Sequence, residues 1–217
     1  MNVTDAVASR HSIRAFLPQP VDNALLVELL RKAARAPSGG NVQPWRAFLL
    51  NGPSMARFRE FLKTRTGREA PAYTIYPDSL KAPYRDSRFK VGEDMYARLG
   101  IPREDKAARL AWIARNFDFF GAPAAFFCFV DRQMGPPQWS DLGMFLQTFM
   151  LLAREAGLDT CAQEAWAMRA ESVQAFTEAD PDLLLFCGMA IGYRDPDAPV
   201  NALVSDREPL DVWLKAL

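Results

Sequence analysis

The stretch LLLFCGMAIGY, at residues 183–193, contains no charged residue along its whole length. A continuous apolar run of this kind is typical of a strand that is covered on both faces. A second run, AAFFCFV at 124–130, has the same character. Between them, the segment 139–156 is apolar on nearly every side, which predicts a helix buried on several sides. We expect these three segments to form the centre of the fold.

A helix and a short strand precede this centre. Asp22 is a good N-cap, and apolar residues then recur at helical spacing until Pro37 ends the helix. Residues 45–50 predict a short strand. Because strands and helices do not alternate strictly, the pattern favours a layered α+β domain over a doubly wound sheet. The length of 217 residues fits a single domain, 1–217.

Residues 53–121 are the least regular segment of the chain. A long loop in a compact domain often forms a lid or a binding surface, and we expect such a role here. The predicted elements of this segment are helices at 55–63, 91–99 and 104–120 and a Pro- and Tyr-rich loop at 69–87.

Composition excludes several classes of function. Lys plus Arg and Asp plus Glu each number 26, so the dominant cationic surface of a nucleic-acid-binding protein is not expected. The single histidine, His11, and three widely spaced cysteines do not provide the ligands of a zinc site. The apolar run at 142–153 is too short to span a membrane, and the N-terminus lacks the apolar core of a signal peptide. We therefore expect a cytoplasmic protein with reduced cysteines.

The first candidate binding motif is formed by Arg10, Ser12 and Arg14. Alternate residues of an extended segment share one face, so two guanidiniums and a hydroxyl would point the same way. This combination suits a phosphate group, although a solvated basic turn has the same sequence pattern. Arg207, near the C-terminus, either completes such a site or is an exposed arginine of the tail.

A second candidate is PSGGNVQPW at 37–45. Its glycines allow a ligand to approach the backbone closely, and Asn41 and Gln43 offer paired donors and acceptors. A plain connection between a helix and a strand is the alternative interpretation.

A third candidate is GLDTCAQEAW at 157–166, where a buried strand ends in polar residues. Backbone N–H groups at such a point can donate to a ring nitrogen. Cys161 has no second histidine in the chain to activate it, so we expect an inert buried thiol rather than a nucleophile. Asn116 is a further candidate polar contact, with an ordinary place on a helix surface as the alternative.

Four segments share a pattern when they are taken together and in order. They are RHSIRAF (10–16), APSGGNVQPW (36–45), GLDTCAQEAW (157–166) and GMAIGYRDPDAPVN (188–201). This set resembles the FMN-dependent nitroreductase family, and the likeness is greatest to members that reduce nitroaromatic compounds such as nitrobenzoates. The resemblance implies a layered nitroreductase-like sandwich, with a mixed or antiparallel central sheet flanked by helices, in an intertwined homodimer with FMN at the subunit interface.

The resemblance also implies roles for individual residues. The phosphate and ribityl chain would be held by Arg10, Ser12, Arg14 and Arg207, and His11 falls inside the same motif. Ser205 stands where the family often has a further basic residue. Residues 37–41 would reach the flavin from the opposite subunit, and residues 163–165 would lie along its ring. The FMN-binding residues implied in this way are Arg10, His11, Ser12, Arg14, Pro37, Ser38, Gly39, Asn41, Asn116, Gln163, Glu164, Ala165 and Arg207. Of these, Asn116 would contact the pyrimidine edge of the ring, and the backbone N–H of Glu164 would face flavin N5.

The activity implied by the resemblance is a two-step exchange. NADH or NADPH gives a hydride to flavin N5, and a small nitroaromatic substrate then occupies the same slot and is reduced. No catalytic acid is demanded of the protein, and residues 53–121 would wall the slot. Alternative functions are a reductase of quinones, enones or free flavin, a dehalogenase-like enzyme, and a flavin-binding protein without turnover. No residue can be assigned to the ribose 2′ position, so both nicotinamides remain candidates.

Overall fold

The computed structural model describes residues 1–217 and contains one four-stranded sheet. Neighbouring strands follow the order β1-β2-β4-β3, and each neighbouring pair is antiparallel. The expected α+β architecture is confirmed, and the sheet is antiparallel throughout. The strands are β1 (Arg46–Asn51), β2 (Ala124–Asp131), β3 (Asp159–Gln163) and β4 (Leu183–Gly192).

Helices cover both faces of this sheet. The α-helices are α1 (Val3–Ser9), α2 (Asn23–Ala33), α3 (Pro53–Lys63), α4 (Tyr84–Arg98), α5 (Lys106–Ala114), α6 (Pro136–Glu155), α7 (Ala170–Thr177) and α8 (Leu210–Trp213). The 3₁₀ helices are Gly39–Asn41, Arg115–Gly121, Glu164–Arg169 and Pro199–Ala202.

The two central strands are buried on both faces, as their apolar sequences predict. Along β2 the side chains alternate between the faces of the sheet. Phe126 and Cys128 belong to the core that α2 and α6 cover, and Phe127 and Phe129 belong to the core that α3 and α7 cover. The result is a helix–sheet–helix sandwich in which neither face of the sheet is open to solvent.

The helix α6 starts earlier than its apolar pattern predicts, at Pro136. Proline is favoured in the first turn of a helix because the N–H group that it lacks would have no partner within the helix there. Leu142, Phe145 and Phe149 are buried against the sheet, whereas Met144 on the outer side is 39% exposed. Within a single chain, therefore, α6 is buried on the side that faces the sheet. Burial of its outer side requires a second subunit and stays a prediction.

The helix expected over 104–120 is interrupted, which corrects that prediction. The helix α5 ends at Ala114 and a kinked 3₁₀ helix follows. Phe119 and Phe120 adopt positive φ values of 50° and 54°, which ends regular helical hydrogen bonding. Both side chains are almost fully buried in the α3–α7 core, and this burial stabilises the unusual backbone.

A close contact fixes the 3₁₀ helix Glu164–Arg169 on the sheet. Trp166, which has no exposed surface, lies against the backbone of Gly188 in β4. A Cβ atom at position 188 would come within 2.3 Å of the Cδ1 atom of Trp166, so only glycine fits without movement. This contact determines where the chain runs after β3.

Candidate functional site

The segment Arg10–Phe16 lies along the outer edge of the sheet, beside β3. The N–H of Ile13 donates to the carbonyl oxygen of Thr160 over 3.0 Å, and Ser12 forms a parallel bridge with Thr160. Ile13 is completely buried, whereas Arg10 and Arg14 are half-buried. Because the segment is extended, Arg10, Ser12 and Arg14 lie on the side opposite to Ile13, in agreement with the sequence pattern.

Three arginines near this edge have no carboxylate partner. Arg10, Arg14 and Arg207 are absent from the ion pairs of the chain. Burial, followed by the nearby positive charge of Arg207, lowers the pKa of Arg10. Like charges that approach each other without a counter-ion fit an anionic ligand, and guanidiniums bind phosphate oxygens as planar forks. These residues therefore fit the phosphate group of a nucleotide cofactor.

The helix α4 holds Arg207 in this neighbourhood. Lys90 pairs with Asp206 over 2.8 Å, and the hydroxyl of Ser87 donates to Glu208 over 3.0 Å. Arg207 itself donates through Nη1 to the Ser205 hydroxyl over 2.8 Å. A cavity of about 390 Å³ lies between α4 and residues 205–208.

His11 points to the other side of the segment from Arg10 and Arg14. Its Nε2 atom is 3.2 Å from the carbonyl oxygen of Asn201 and 3.3 Å from Nη1 of Arg194. Burial, followed by the charge of Arg194, lowers the pKa of His11. Arg194 in turn forms two hydrogen bonds with the buried Asp159, at 2.6 and 2.7 Å. His11 is thus part of an internal polar network in this structure.

The structure brings Gln163 and Asn116 together. Nε2 of Gln163 donates to the carbonyl oxygen of Asn116 over 2.8 Å and to its Oδ1 over 3.2 Å. Trp166 donates to Oε1 of Gln163 over 3.4 Å, and Nδ2 of Asn116 donates to Ile113 over 2.9 Å. Both amides therefore have internal partners, and they fix the backbone that leads into residues 164 and 165.

Glu164 follows directly and lies partly in solvent. Burial raises the pKa of its carboxyl group, and no cation pairs with it. Tyr73 lies near enough for the charge of Glu164 to contribute to its raised pKa, after burial and the nearby Cys187. The hydroxyl of Tyr73 donates to the carbonyl oxygen of Phe186, which connects the 53–121 segment to β4.

The glycine-containing loop lies apart from these residues within one chain. The N–H of Gly39 donates to the carboxylate of Asp141 over 3.2 Å, and the Ser38 hydroxyl accepts from the N–H of Gln43 over 3.0 Å. Pro37, Gly39 and Asn41 are exposed. No hydrogen bond of this loop reaches residues 10–14 or 163–165.

Cys161 lies beneath the arginine motif, which is formed by Arg10, Ser12 and Arg14. Burial raises the pKa of its thiol, and the charges of Arg14 and Arg10 and a hydrogen bond with Ser12 offset only part of this effect. A buried, protonated thiol is a poor nucleophile, as the sequence led us to expect.

One residue of the site lies in a segment that resembles the family, 188–201, but its contact has no local sequence signal. Asn201 accepts hydrogen bonds from the backbone N–H groups of Arg14, over 2.8 Å, and Ala15, over 3.2 Å. It lies 187 residues away from Arg14 along the chain, so no local spacing relates the two.

Comparison with known proteins gives the same family as the sequence motifs. Residues 7–193 match the model of the Nitroreductase family. The 4-nitrobenzoate reductase of Pseudomonas putida is 38% identical over 203 residues, which cover 93% of this chain and 89% of that protein. The nitrobenzene nitroreductase of Ectopseudomonas oleovorans is 30% identical, with coverage of 96% and 94%.

A solved structure is similar over the whole chain. The FMN and NADPH-dependent nitroreductase NfnB of Sphigopyxis sp. strain HMH superimposes with a TM-score of 0.95 at 44% sequence identity, covering 100% of this chain and 99% of that one. The shared fold, the arginine motif at the sheet edge and the match over residues 7–193 lead to one conclusion. The chain belongs to the nitroreductase family.

Proposed function

We propose that this chain is an FMN-dependent NAD(P)H oxidoreductase that reduces small nitroaromatic compounds. The observation that carries the proposal is the approach of Arg207 to the motif of Arg10 and Arg14, with no carboxylate partner for any of the three guanidiniums. Relatives that are similar over nearly the whole chain are named as 4-nitrobenzoate and nitrobenzene reductases, which supports the same substrate class.

In this proposal, Arg10, Ser12, Arg14 and Arg207 hold the phosphate and ribityl chain of FMN. The guanidiniums neutralise the phosphate charge, and the Ser12 hydroxyl adds a hydrogen bond. His11 belongs to the same motif and supports it from the opposite side, through its contact with Asn201.

Residues 163–165 would lie along the flavin ring, with the backbone N–H of Glu164 directed to N5. The side chains of Gln163 and Asn116 hold this stretch, which includes Ala165, in place through their mutual hydrogen bonds. Bound FMN would supply the hydride chemistry between a nicotinamide and a nitro group, while the protein binds and orients both. Pro37, Ser38, Gly39 and Asn41 would complete the site from the opposite subunit.

A homodimer follows from this arrangement, and the apolar surface of the chain supports it. The residues of α1 and α6 and the tail after Leu203 carry large apolar side chains that one chain leaves exposed. They are Val3, Val7, Met144, Leu210, Val212, Trp213, Leu214 and Leu217. A second copy of the chain would cover these side chains in the proposed dimer.

The proposal also includes a cellular location for the enzyme and a role for residues 53–121 at the substrate slot. No helix of the structure is both long enough and apolar enough to cross a membrane. We assign the enzyme to the cytoplasm, where its three buried free cysteines, Cys128, Cys161 and Cys187, would stay reduced. Within a single domain, residues 53–121 would wall the slot and select the substrate.

The test is a comparison of initial rates with the FMN-loaded protein. NADPH or NADH oxidation is followed with 4-nitrobenzoate, nitrobenzene and a quinone, and the nitroaromatic products are identified by chromatography. We expect reduction of the nitro group to nitroso and hydroxylamine products. Turnover of the quinone with none of the nitroaromatics would favour the alternative reductase, and binding of FMN without any turnover would contradict an enzymatic role.

A further inference from the structure

Asn201 makes more side-chain hydrogen bonds to the segment Arg10–Phe16 than any other residue of the protein. Its Oδ1 atom accepts from the N–H groups of Arg14 and Ala15, at 2.8 and 3.2 Å. Its Nδ2 atom donates to the carbonyl oxygens of Ala15, at 2.8 Å, and Asp195, at 2.9 Å. A carboxamide has two donors and two acceptor positions, so the side chain of Asn201 is fully used.

Asn201 and β3 together hold three consecutive N–H groups of this segment. The N–H of Ile13 donates to the carbonyl oxygen of Thr160 in β3. The N–H groups of Arg14 and Ala15 donate to the side chain of Asn201, which is only 6% exposed. Residues 13–15 are therefore fixed by two separate elements, although they belong to no regular strand.

The main chain of Asn201 is anchored independently of its side chain. It belongs to the 3₁₀ helix Pro199–Ala202, in which Val200 is buried. The neighbouring Leu203 is buried as well, and its N–H donates to the carbonyl oxygen of Val200 over 3.3 Å. Truncation of the Asn201 side chain thus removes its contacts with residues 14 and 15 and leaves the buried anchors of the turn in place.

We propose that Asn201 is a positioning residue, which acts on the cofactor phosphate through the backbone of Arg14. This inference rests on the proposed binding of FMN. Without the Asn201 side chain, the N–H groups of Arg14 and Ala15 lose their hydrogen-bond partner. The backbone from which the Arg14 side chain extends is then no longer held in one position, so its guanidinium is less well placed for the phosphate. The effect should be specific for the phosphate, because residues 163–165 have their own support from Asn116 and Trp166.

The experiment measures binding of FMN and of riboflavin, which lacks the phosphate, to the apoprotein by quenching of flavin fluorescence. We expect Asn201→Ala to weaken FMN binding by about tenfold to one-hundredfold, the consequence of one to two lost hydrogen-bond partners, and to leave riboflavin binding unchanged. Asn51→Ala is the matched control. This change also removes a side-chain amide that donates to a backbone carbonyl oxygen, that of Val21. Asn51 lies on β1, at the opposite edge of the sheet, so neither the affinity for FMN nor that for riboflavin should change.

A double-mutant cycle tests the route through Arg14. If Asn201 acts through this residue, Asn201→Ala adds little further loss in an Arg14→Ala background. Should Asn201→Ala be too unstable to purify, Asn201→Ser is used instead. Its short hydroxyl cannot bridge residues 14 and 195, so the same phosphate-specific loss is expected.

Three results would overturn the inference: unchanged FMN affinity, equal losses for FMN and riboflavin, or fully additive effects in the cycle. Failure of the wild-type apoprotein to bind FMN at all is a different result, since it contradicts the proposed function itself.

Discussion

At the scale of single residues, the site is a set of like charges that folding brings together without counter-ions. Arg10 and Arg14 are held by the edge of the sheet, and Arg207 approaches them from the C-terminal segment. Other arginines of the chain, such as Arg154 and Arg194, form ion pairs with buried Asp159. Arg10 and Arg207 approach each other at a half-buried edge without such a pair, so an anionic cofactor would stabilise them.

The contribution of Arg14 can be measured directly. Arg14→Ala should weaken FMN binding by about 1.5–3 kcal/mol, because it removes a charge-assisted hydrogen bond to the phosphate. Titration of the apoprotein with FMN gives the dissociation constant. Arg31→Ala serves as control, since this arginine pairs with Glu28 on the exposed side of α2 and should leave the affinity unchanged. An unchanged affinity in Arg14→Ala would contradict the phosphate role.

His11 predicts a pH dependence of stability. Its pKa in the folded chain is lowered, first by burial and then by Arg194, from the ordinary value of 6.5. The unfolded chain therefore binds this proton more readily, and the free energy of unfolding should fall as the pH drops below about 6.5. His11→Asn removes this contribution. Urea unfolding of both proteins over a range of pH measures the difference, and identical pH profiles would show that His11 contributes nothing.

At the scale of elements, the path of the chain after β3 depends on the contact between Gly188 and Trp166. Gly188→Ala should reduce the free energy of unfolding by about 1–3 kcal/mol, because the added methyl group collides with the indole in a packed core. Gly92→Ala in α4 is the control. A Cβ there meets no atom within 4 Å, so this change should leave stability unchanged or raise it by up to about 1 kcal/mol. Equal effects of the two changes would contradict the packing argument.

The buried elements could be predicted because their apolar composition indicates burial. The apolar runs correctly identify β2, β4 and α6, and the predicted boundaries differ by only a few residues. The break after Ala114 could not be predicted, since Phe119 and Phe120 fit a helical pattern. Their left-handed backbone follows from tertiary burial rather than from local preference.

The site shows the same division between local and distant information. The common orientation of Arg10, Ser12 and Arg14 follows from the alternation of an extended segment, and the structure agrees with it. The support from Asn201 depends on a contact across most of the chain, and the direction of His11 depends on Arg194. Neither contact has a spacing that a single sequence can reveal.

At the scale of the whole molecule, two parts of the proposed FMN site, the loop 37–41 and the arginine motif, lie apart within one chain. The loop of residues 37–41 makes no hydrogen bond to the arginine motif, and the C-terminal tail lies exposed. Both features are accounted for if a second copy of the chain covers the tail and supplies its own loop to the site. An interface of this kind resembles a divided protein core.

The tail offers a test of the dimer. A chain that ends at Glu208 keeps Arg207 but lacks the exposed Leu210, Val212 and Trp213. We expect its dimer dissociation constant to rise by about tenfold or more, since buried aromatic anchors contribute strongly to interfaces. Sedimentation at several concentrations measures this constant. Lys215→Ala, in the same tail, should leave it unchanged, and a full-length chain that sediments as a monomer would contradict the dimer.

The most direct test of the account is the visible absorption spectrum of the purified protein under anaerobic conditions, before and after addition of NADPH and then of 4-nitrobenzoate. We expect a flavin band in the purified or FMN-supplemented protein, loss of that band with NADPH, and its return with the nitroaromatic. A protein that remains colourless in the presence of added FMN, or a flavin band that NADPH and NADH both leave unchanged, would contradict it.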